Sequence, residues 1–306
     1  MSRKVAFQLD PWERLNYAGD STVSLAIEAL RCGLQVYSYI PADLALQSGQ
    51  PFARMQEVTH IDRTLGKVTL GAPVWQGFDD FSFVLVRQDP PYDMAYLTTT
   101  YMLERVPTTV RVVNSPAGIR NAPEKLLVQH FPDLTPPTLI SSQIDLLRAF
   151  RERHRRVILK PLYGYGGREI VLLDEGDDES ALLPLLAAGL PLIMQRFLPG
   201  IVQGDKRILL IDGQPVGAIN RVPPQGNIHA NLRLGGVAEK TTLTPREQDI
   251  CATLAPALQA QGLYFVGIDV IDGWLTEINV TSPTGIVQVN QLDGVCVEEI
   301  FWDKLL

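Results

Sequence analysis

The run Tyr264 to Gly285, YFVGIDVIDGWLTEINVTSPTG, carries two carboxylates and an amide whose spacing brings their oxygens within reach of one cation. Glu277 and Asn279 are two residues apart, so in a strand both side chains leave the same face. Asp269 lies across Asp272-Gly273, a dipeptide that reverses a chain in a two-residue hairpin, and it meets them if the register aligns the strands. Hard oxygen donors of this kind suit Mg²⁺, which takes one or two carboxylates and fills its octahedron with water and phosphate oxygens. A solvated hairpin face fits the same three residues equally well. A second candidate is Lys160, at the end of VILK and just before Gly164-Tyr165-Gly166-Gly167. Glycines let backbone N–H groups close on an anion, although a plain tight turn has the same composition. The turn is neither a P-loop nor a dinucleotide fingerprint, both of which need a helix opening at fixed spacing. Arg87 ends the run SFVLVR and precedes Asp89-Pro90-Pro91, a rigid place from which to clamp a carboxylate or to make an ordinary ion pair.

The elements that must hold these groups follow from periodicity. Tyr264 to Ile271 and Trp274 to Val280 read as the two strands of the acid-bearing hairpin. Lys4 to Gln8, Gln35 to Tyr39, Ser82 to Arg87 and Thr109 to Val113 read as strands. They alternate with helices from Asp20 to about Cys32 and from Met94 to Arg105. That alternation predicts a parallel sheet with helices on its faces, whose ligands lie beyond the strand ends at Asp10-Pro11 and Arg87 to Pro91. Pro51 to Trp75 reads as additional β structure. The pattern breaks at Asn114-Ser115-Pro116. Beyond it come a short helix at Glu124-Lys125, an extended segment after Thr135-Pro136-Pro137 and a helix from Ile144 to His154. Strands are expected at Val157 onward and Glu169 to Leu173. Leu192 to Phe197 runs into Leu198-Pro199-Gly200, a strand and bend able to hold a flat heterocycle. Ile208 to Ile211 and Pro215 to Val222 form a second hairpin about Asp212-Gly213. Pro223 to Lys240 has no periodicity and at its length reads as a lid or a disordered connector. Thr244-Pro245-Arg246-Glu247 is a capping box that opens a helix to about Gln261.

Composition narrows the function classes. With 306 residues, 46% of them hydrophobic, the chain can bury cores for two or three domains. A net charge of -7 argues against a general nucleic-acid binder, because phosphate neutralisation needs clustered Lys and Arg. No apolar run reaches membrane-spanning length, and MSRKVAFQLD enters a strand instead of a signal peptide's apolar core, so a cytosolic, cytoplasmic protein is expected. The three cysteines, Cys32, Cys251 and Cys296, are scattered and show neither a disulfide framework nor a zinc site.

Taken in order, the parts resemble the ATP-grasp ligases, and RQDPPYD, NAPEKL, LKPLYGYGG, GDKRILL, GAINRVP, VGIDVI and LTEINVTSPTG resemble the bacterial glutathione synthetases over nearly the whole chain. The resemblance implies an α/β fold: an N-terminal parallel-sheet domain over 1–120, then a two-subdomain ATP-grasp fold over 121–198 and 199–306, with the lid at 223–240. It implies ATP as nucleotide, with Mg²⁺ or Mn²⁺. Lys125 and Lys160 would touch the nucleotide. Gly164, Gly166 and Gly167 would close over its phosphates. Gln195, Phe197 and Leu198 would line the adenine pocket, with Asp205 near the ribose. Asp269, Glu277 and Asn279 would hold the metal. Arg207 and Arg221 would act on the carboxylate being activated, with Ser282, Thr284 and Arg87 on the substrate side. Such ligases form an acyl phosphate that an amine displaces, which needs no protein nucleophile and no histidine base; His60, His130 and His154 then read as structural or surface residues. Small peptide and amino-acid substrates are implied as partners, together with a homo-oligomer. The chain departs from the family pattern at His229 and Val237, where lid arginines are usual. It also departs at Val287-Gln288 and at Tyr17-Ala18-Gly19. The ligase chemistry therefore reads more firmly than the identity of the acid and the amine.

Overall fold

The computed structural model describes residues 3–163, 170–177, 186, 189 and 191–306. Its first sheet is built on β1 (Lys4–Gln8), β2 (Gln35–Tyr39), β3 (Leu44–Gln47), β4 (Gln50–Asp62), β5 (Lys67–Leu70), β6 (Val74–Gly77), β7 (Phe83–Val86) and β8 (Arg111–Val113). The order β2-β1-β7-β8 is parallel, as the alternation with helices requires. β1 and β7 are buried on both faces, so Val5-Ala6-Phe7 and the whole of β7 are apolar without alternation. β4 adds antiparallel to β2 and carries β3, β5 and β6, which accounts for the extra β structure before Trp75. The first helix, Ser21–Arg31, starts where the Asp20 carboxylate accepts from the Thr22 and Val23 N–H groups. It ends at Gly33, which takes a positive φ. β1 and β7 finish side by side, and their trailing loops are tied where the Asp89 N–H donates to Asp10 Oδ2 at 2.7 Å. The strand ends named from the sequence therefore share one edge.

The second sheet has the order β11-β10-β12-β9, with β9 (Thr138–Ser141), β10 (Val157–Pro161), β11 (Val171–Leu173) and β12 (Leu192–Arg196), all antiparallel. The helix Ile144–His154 packs Leu147 onto it. The strand expected at Glu169 to Leu173 is described from Val171, and Gly164, Gly166 and Gly167 lie outside the described residues. The third sheet, β15-β14-β13-β16-β17, joins β13 (Asp205–Ile211), β14 (Gln214–Val222), β15 (Val237–Lys240), β16 (Phe265–Ile271) and β17 (Trp274–Asn279). Asp272 and Gly273 both take positive φ between β16 and β17, the tight reversal their sequence predicts. The capping box holds as read: the Thr244 side chain accepts from the Glu247 N–H, and Glu247 accepts from the Thr244 N–H, opening the helix Pro245–Ala260. One expectation needs correction. Pro223 to Lys240 is not irregular throughout, because Val237–Lys240 pairs with β14 as an edge strand. Its side chains alternate too weakly in polarity for periodicity to reveal it.

Two packings cross the order of the chain. The helices Ile286–Asp293 and Val297–Leu305 return to the first sheet, where Phe301 and Trp302 join Phe7, Phe83 and Phe265 in one core and the Trp302 indole donates to the Leu25 carbonyl. Leu127, Val128 and Leu134 pack with β13, β16 and β17 in another core. Asn114 fastens the first sheet to the third: its amide donates to the Phe265 and Val280 carbonyls at 2.8 and 2.7 Å and accepts from the Phe265 N–H at 2.8 Å. Replacing Asn114 with Ala strands three buried backbone groups, at roughly 1 kcal/mol or more apiece. We expect the Asn114→Ala chain to lose about 2–4 kcal/mol in urea unfolding; a loss under about 1 kcal/mol would mean the junction is held by packing alone.

Candidate active site

The second and third sheets face each other across a cleft, and strand alternation decides which side chains enter it. On β10 and β12, Ile158 lies opposite Gln195 in the register, so Ile158, Lys160 and Gln195 share a face and Phe197 continues it. Gln195 is held by its amide donating to Thr138 Oγ1 at 2.9 Å, and Lys160 Nζ donates to Gln195 Oε1 at 3.4 Å. Burial lowers the Lys160 ammonium's pKa. Phe197 and Leu198 join Ile201, Ile228, Ala230 and Ile271 in an apolar slot. The turn behind Leu198 is pinned where the Gly200 N–H donates to Asp272 Oδ2 at 2.8 Å. A Cβ on Gly200 would fall 1.6 Å from the Asp272 carboxylate, so any side chain there displaces that carboxylate.

The opposite wall is a row of charges across β14, β13, β16 and β17. Arg221 stands across from Asp205, Arg207 across from Asp269, and Asp269 across from Glu277. Arg207 grips Asp269 with two parallel bonds, Nε to Oδ1 at 2.5 Å and Nη2 to Oδ2 at 2.9 Å. Arg221 Nη2 reaches Asp205 Oδ2 at 2.5 Å and Asp269 Oδ1 at 3.0 Å. Burial alone would raise the Asp269 carboxyl, but Arg207 and then Arg221 overcome it and hold it down at about 2. Asp205 goes the other way, up to about 7, because burial outweighs the one guanidinium it shares with Asp269. The hairpin spacing lets Asp269 meet Glu277 and Asn279 if the strands align, and the register brings all three together. Asn279 Nδ2 donates to Asp269 Oδ2 at 3.3 Å, which leaves its carbonyl oxygen for a ligand. Lys125, from the helix Glu124–Leu127 under β17, stands 4.0 Å from Glu277.

This donor set fits a magnesium ion that is completed from outside the protein. Two carboxylates and an amide oxygen converge, while no group of three or more His, Cys, Asp or Glu able to cage a metal occurs among the described residues. Both oxygens of Asp269 are engaged by arginine, so Glu277 is the more available ligand.

A second cavity adjoins the first beyond the row. Ser282 and Thr284 line it with Asp89, Pro90 and Gly285, and Arg207, Arg221 and Asn279 border both spaces. Arg87 lines neither. It is 5% exposed, and its guanidinium donates to Thr22 Oγ1 and the Pro283 carbonyl. It thus holds the Thr281 to Gly285 turn in place behind the cavity wall, while Ser282 Oγ donates to the Arg87 carbonyl.

Two features of the lining, Glu124 and Ile158, were not foreseen. Glu124 borders both cavities, its carboxylate accepting from Thr281 Oγ1 at 3.0 Å, and burial raises its carboxyl to about 7 with Glu277 adding to the rise. Its place just before Lys125 was the available signal. His229 enters the cleft between Ile228 and Ala230, with a buried Nδ1 that has no hydrogen-bond partner among the described residues. Ile158 could have been found by alternation from Lys160. No helix of the described residues is long and apolar enough to cross a membrane.

Comparison with known proteins bears on the family and the fold. Residues 3–120 match the model of the prokaryotic glutathione synthetase N-terminal domain, and residues 124–294 match that of its ATP-grasp domain. Glutathione synthetase of Rhodopseudomonas palustris is 46% identical over 100% of this chain and 98% of its own length. That of Synechocystis sp. is 42% identical over 97% of both. Among solved structures, D-cycloserine synthetase DcsG superposes with a TM-score of 0.68 at 16% identity, covering 99% of this chain and 100% of that one. The ATP-grasp ligase PsnB, complexed with minimal precursor, Mg and ADP, superposes at 0.64 and 18% identity, covering 99% and 96%. The α/β architecture, the two matched domain models and the full-length identity agree: this chain belongs to the prokaryotic glutathione synthetase family.

Proposed function

We propose that the protein is an ATP-dependent carboxylate–amine ligase that joins γ-glutamylcysteine to glycine through an acyl phosphate. The observation that carries the reading is the meeting of three spaces: an apolar slot, a row of charges and a second cavity that opens onto the row. In this reading 1–120 is the N-terminal domain, 121–198 the flap-bearing subdomain and 199–306 the subdomain of the charged row. Gln195, Phe197 and Leu198 take the adenine, Asp205 the ribose, and Lys125 and Lys160 the phosphates, with Gly164, Gly166 and Gly167 above them. Lys160 acts as a point charge. Asp269, Glu277 and Asn279 hold Mg²⁺, or Mn²⁺ with the same oxygen demands. When bound, the ion neutralises phosphate charge and orients the phosphoryl group. Five cations and four carboxylates line the described cleft, too small an excess to balance a triphosphate, which supports the need for a divalent ion. Arg207 and Arg221 face the acid being activated and are pre-set by Asp269 and Asp205, so they need not reorganise as charge develops. Ser282 and Thr284 contact the peptide, and Arg87 supports them from behind. The segment 223–240 excludes water from a hydrolysable intermediate. We place the protein in the cytoplasm and expect a homo-oligomer.

A relative that joins a different acid or amine is the second reading. It is favoured by His229 in the cleft and by Val237, which is 61% exposed on β15, in a lid where family members carry arginines. ADP release with ATP, Mg²⁺ and γ-glutamylcysteine, with and without glycine and with product mass, tests both. Glycine-dependent glutathione supports the first. ADP release only with other acids or amines selects the second. No release with any acid and amine, despite nucleotide binding, would leave a non-catalytic nucleotide-binding protein.

A further inference from the structure

Four carboxylates line the cleft, and three of them are committed. Asp269 is held by Arg207 and Arg221, Asp205 by Arg221, and Glu277 stands opposite Lys125 among the metal donors. Glu124 is different. Its hydrogen-bond partner is the neutral hydroxyl of Thr281, and no cation lies within ion-pair distance of it among the described residues. It borders both cavities, at the place where Arg207, Arg221 and Asn279 also border both. Its carboxylate is half-buried by area, since one side meets open space, yet surrounded closely enough for desolvation to disfavour its charge. Lys125 and Arg207 act on it only from beyond contact distance, so it gains from a ligand that brings a cation into contact.

The proposed reaction supplies such a ligand. An amino-acid amine arrives as an ammonium and must approach an activated carbonyl beside two arginines and a lysine, which repel it. We infer that Glu124 receives the amine substrate at the junction of the two cavities, pairing with its ammonium and setting its approach, so that once one proton is lost to solvent the free amine displaces phosphate from the activated acid. The inference rests on the ligase reading and adds to it the residue that positions the second substrate. Thr281 Oγ, which donates to the Glu124 carboxylate, fixes which oxygen is left for the amine. An amide at position 124 keeps an acceptor for Thr281 and puts a neutral NH2 donor in place of the charged oxygen, so Glu124→Gln removes the partner for an ammonium at nearly constant size.

The test compares two acceptors with γ-glutamylcysteine, ATP and Mg²⁺: glycine, which is an ammonium near neutral pH, and hydroxylamine, which is largely uncharged there and yields a hydroxamate. In Glu124→Gln the rate with glycine falls relative to that with hydroxylamine by on the order of 10²-fold, mostly through the KM for glycine. Glu124→Asp, which keeps the charge on a shorter arm, recovers part of that ratio and serves as the probe if the amide variant folds poorly by its Tm. Equal losses with both acceptors in the folded variants, or no loss with glycine, overturn the assignment. A wild-type protein that releases no ADP with either acceptor overturns the ligase reading itself, a result that is distinct because it does not depend on position 124.

Discussion

Asp269→Leu loses about 3–5 kcal/mol of stability and all measurable turnover, the largest combined effect expected at any single position. The reason is the row of charges. Asp269 is 4% exposed and neutralises Arg207 and Arg221, which are 8% and 6% exposed. Removing it leaves Arg207 buried without a counter-charge and Arg221 with Asp205 alone. The stability loss is read from urea unfolding. The double variant Arg207→Met with Asp269→Leu regains most of it, because an apolar pair fills the space without an orphaned charge. It regains no turnover. If the double variant stayed as unstable as the single one, the loss would come from packing instead of charge. Acid probes the same contact. Asp269 is held at about 2 against an ordinary 3.8, so its contribution is fully present above about pH 4 and is lost as pH falls through 2. Asp269→Leu lacks that limb of the stability curve.

Glu277→Gln has the opposite profile, with turnover down roughly 10³-fold and stability changed by less than about 1 kcal/mol. Glu277 shares the face of Asp269, yet its side chain is 23% exposed and its nearest cation stands at 4.0 Å, so little of the fold leans on it. A glutamine keeps size and one oxygen but loses the charge a hard dication requires. The variant's half-saturating Mg²⁺ concentration rises along with the loss in kcat. Measuring ADP release across a magnesium titration checks both, and an unchanged magnesium dependence would remove Glu277 from the metal site. The pair of variants separates two neighbouring acids that the sequence presents as equivalents: one holds arginines, the other is free to hold an ion.

That distinction marks where the sequence stops being legible. The hairpin at Asp272-Gly273, the capping box at Thr244 and the cap at Asp20 are local, and each is written in a few adjacent residues whose chemistry admits one geometry. The parallel core follows from apolar runs alternating with helices. Pairing partners across strands are not written locally. Nothing in GDKRILL says that Arg207 is gripped by Asp269, because that depends on the β13 to β16 register. Arg87 illustrates the same limit. A rigid arginine at a strand end reads as a clamp, and its burial against Thr22 and Pro283 becomes visible only when the C-terminal turn is folded against it. Glu124 was missed for a related reason: a solvated helix start and a junction between two cavities look alike until β17 covers the helix.

The contact between Gly200 and Asp272 has a meaning for how such a chain can diverge. The two positions lie 72 residues apart, one where the apolar slot turns away from its sheet and the other at the tip of the hairpin that bears the acids. Because the carboxylate occupies the space a side chain would need, a change at either position is felt at the other. A lineage that gains a side chain at 200 turns the Asp272 carboxylate out to solvent or replaces it with a shorter group, and either way disturbs this bond between the slot and the hairpin. Variation at these two positions is therefore coupled through one bond: a descendant with a side chain at 200 is one whose residue at 272 has taken another position.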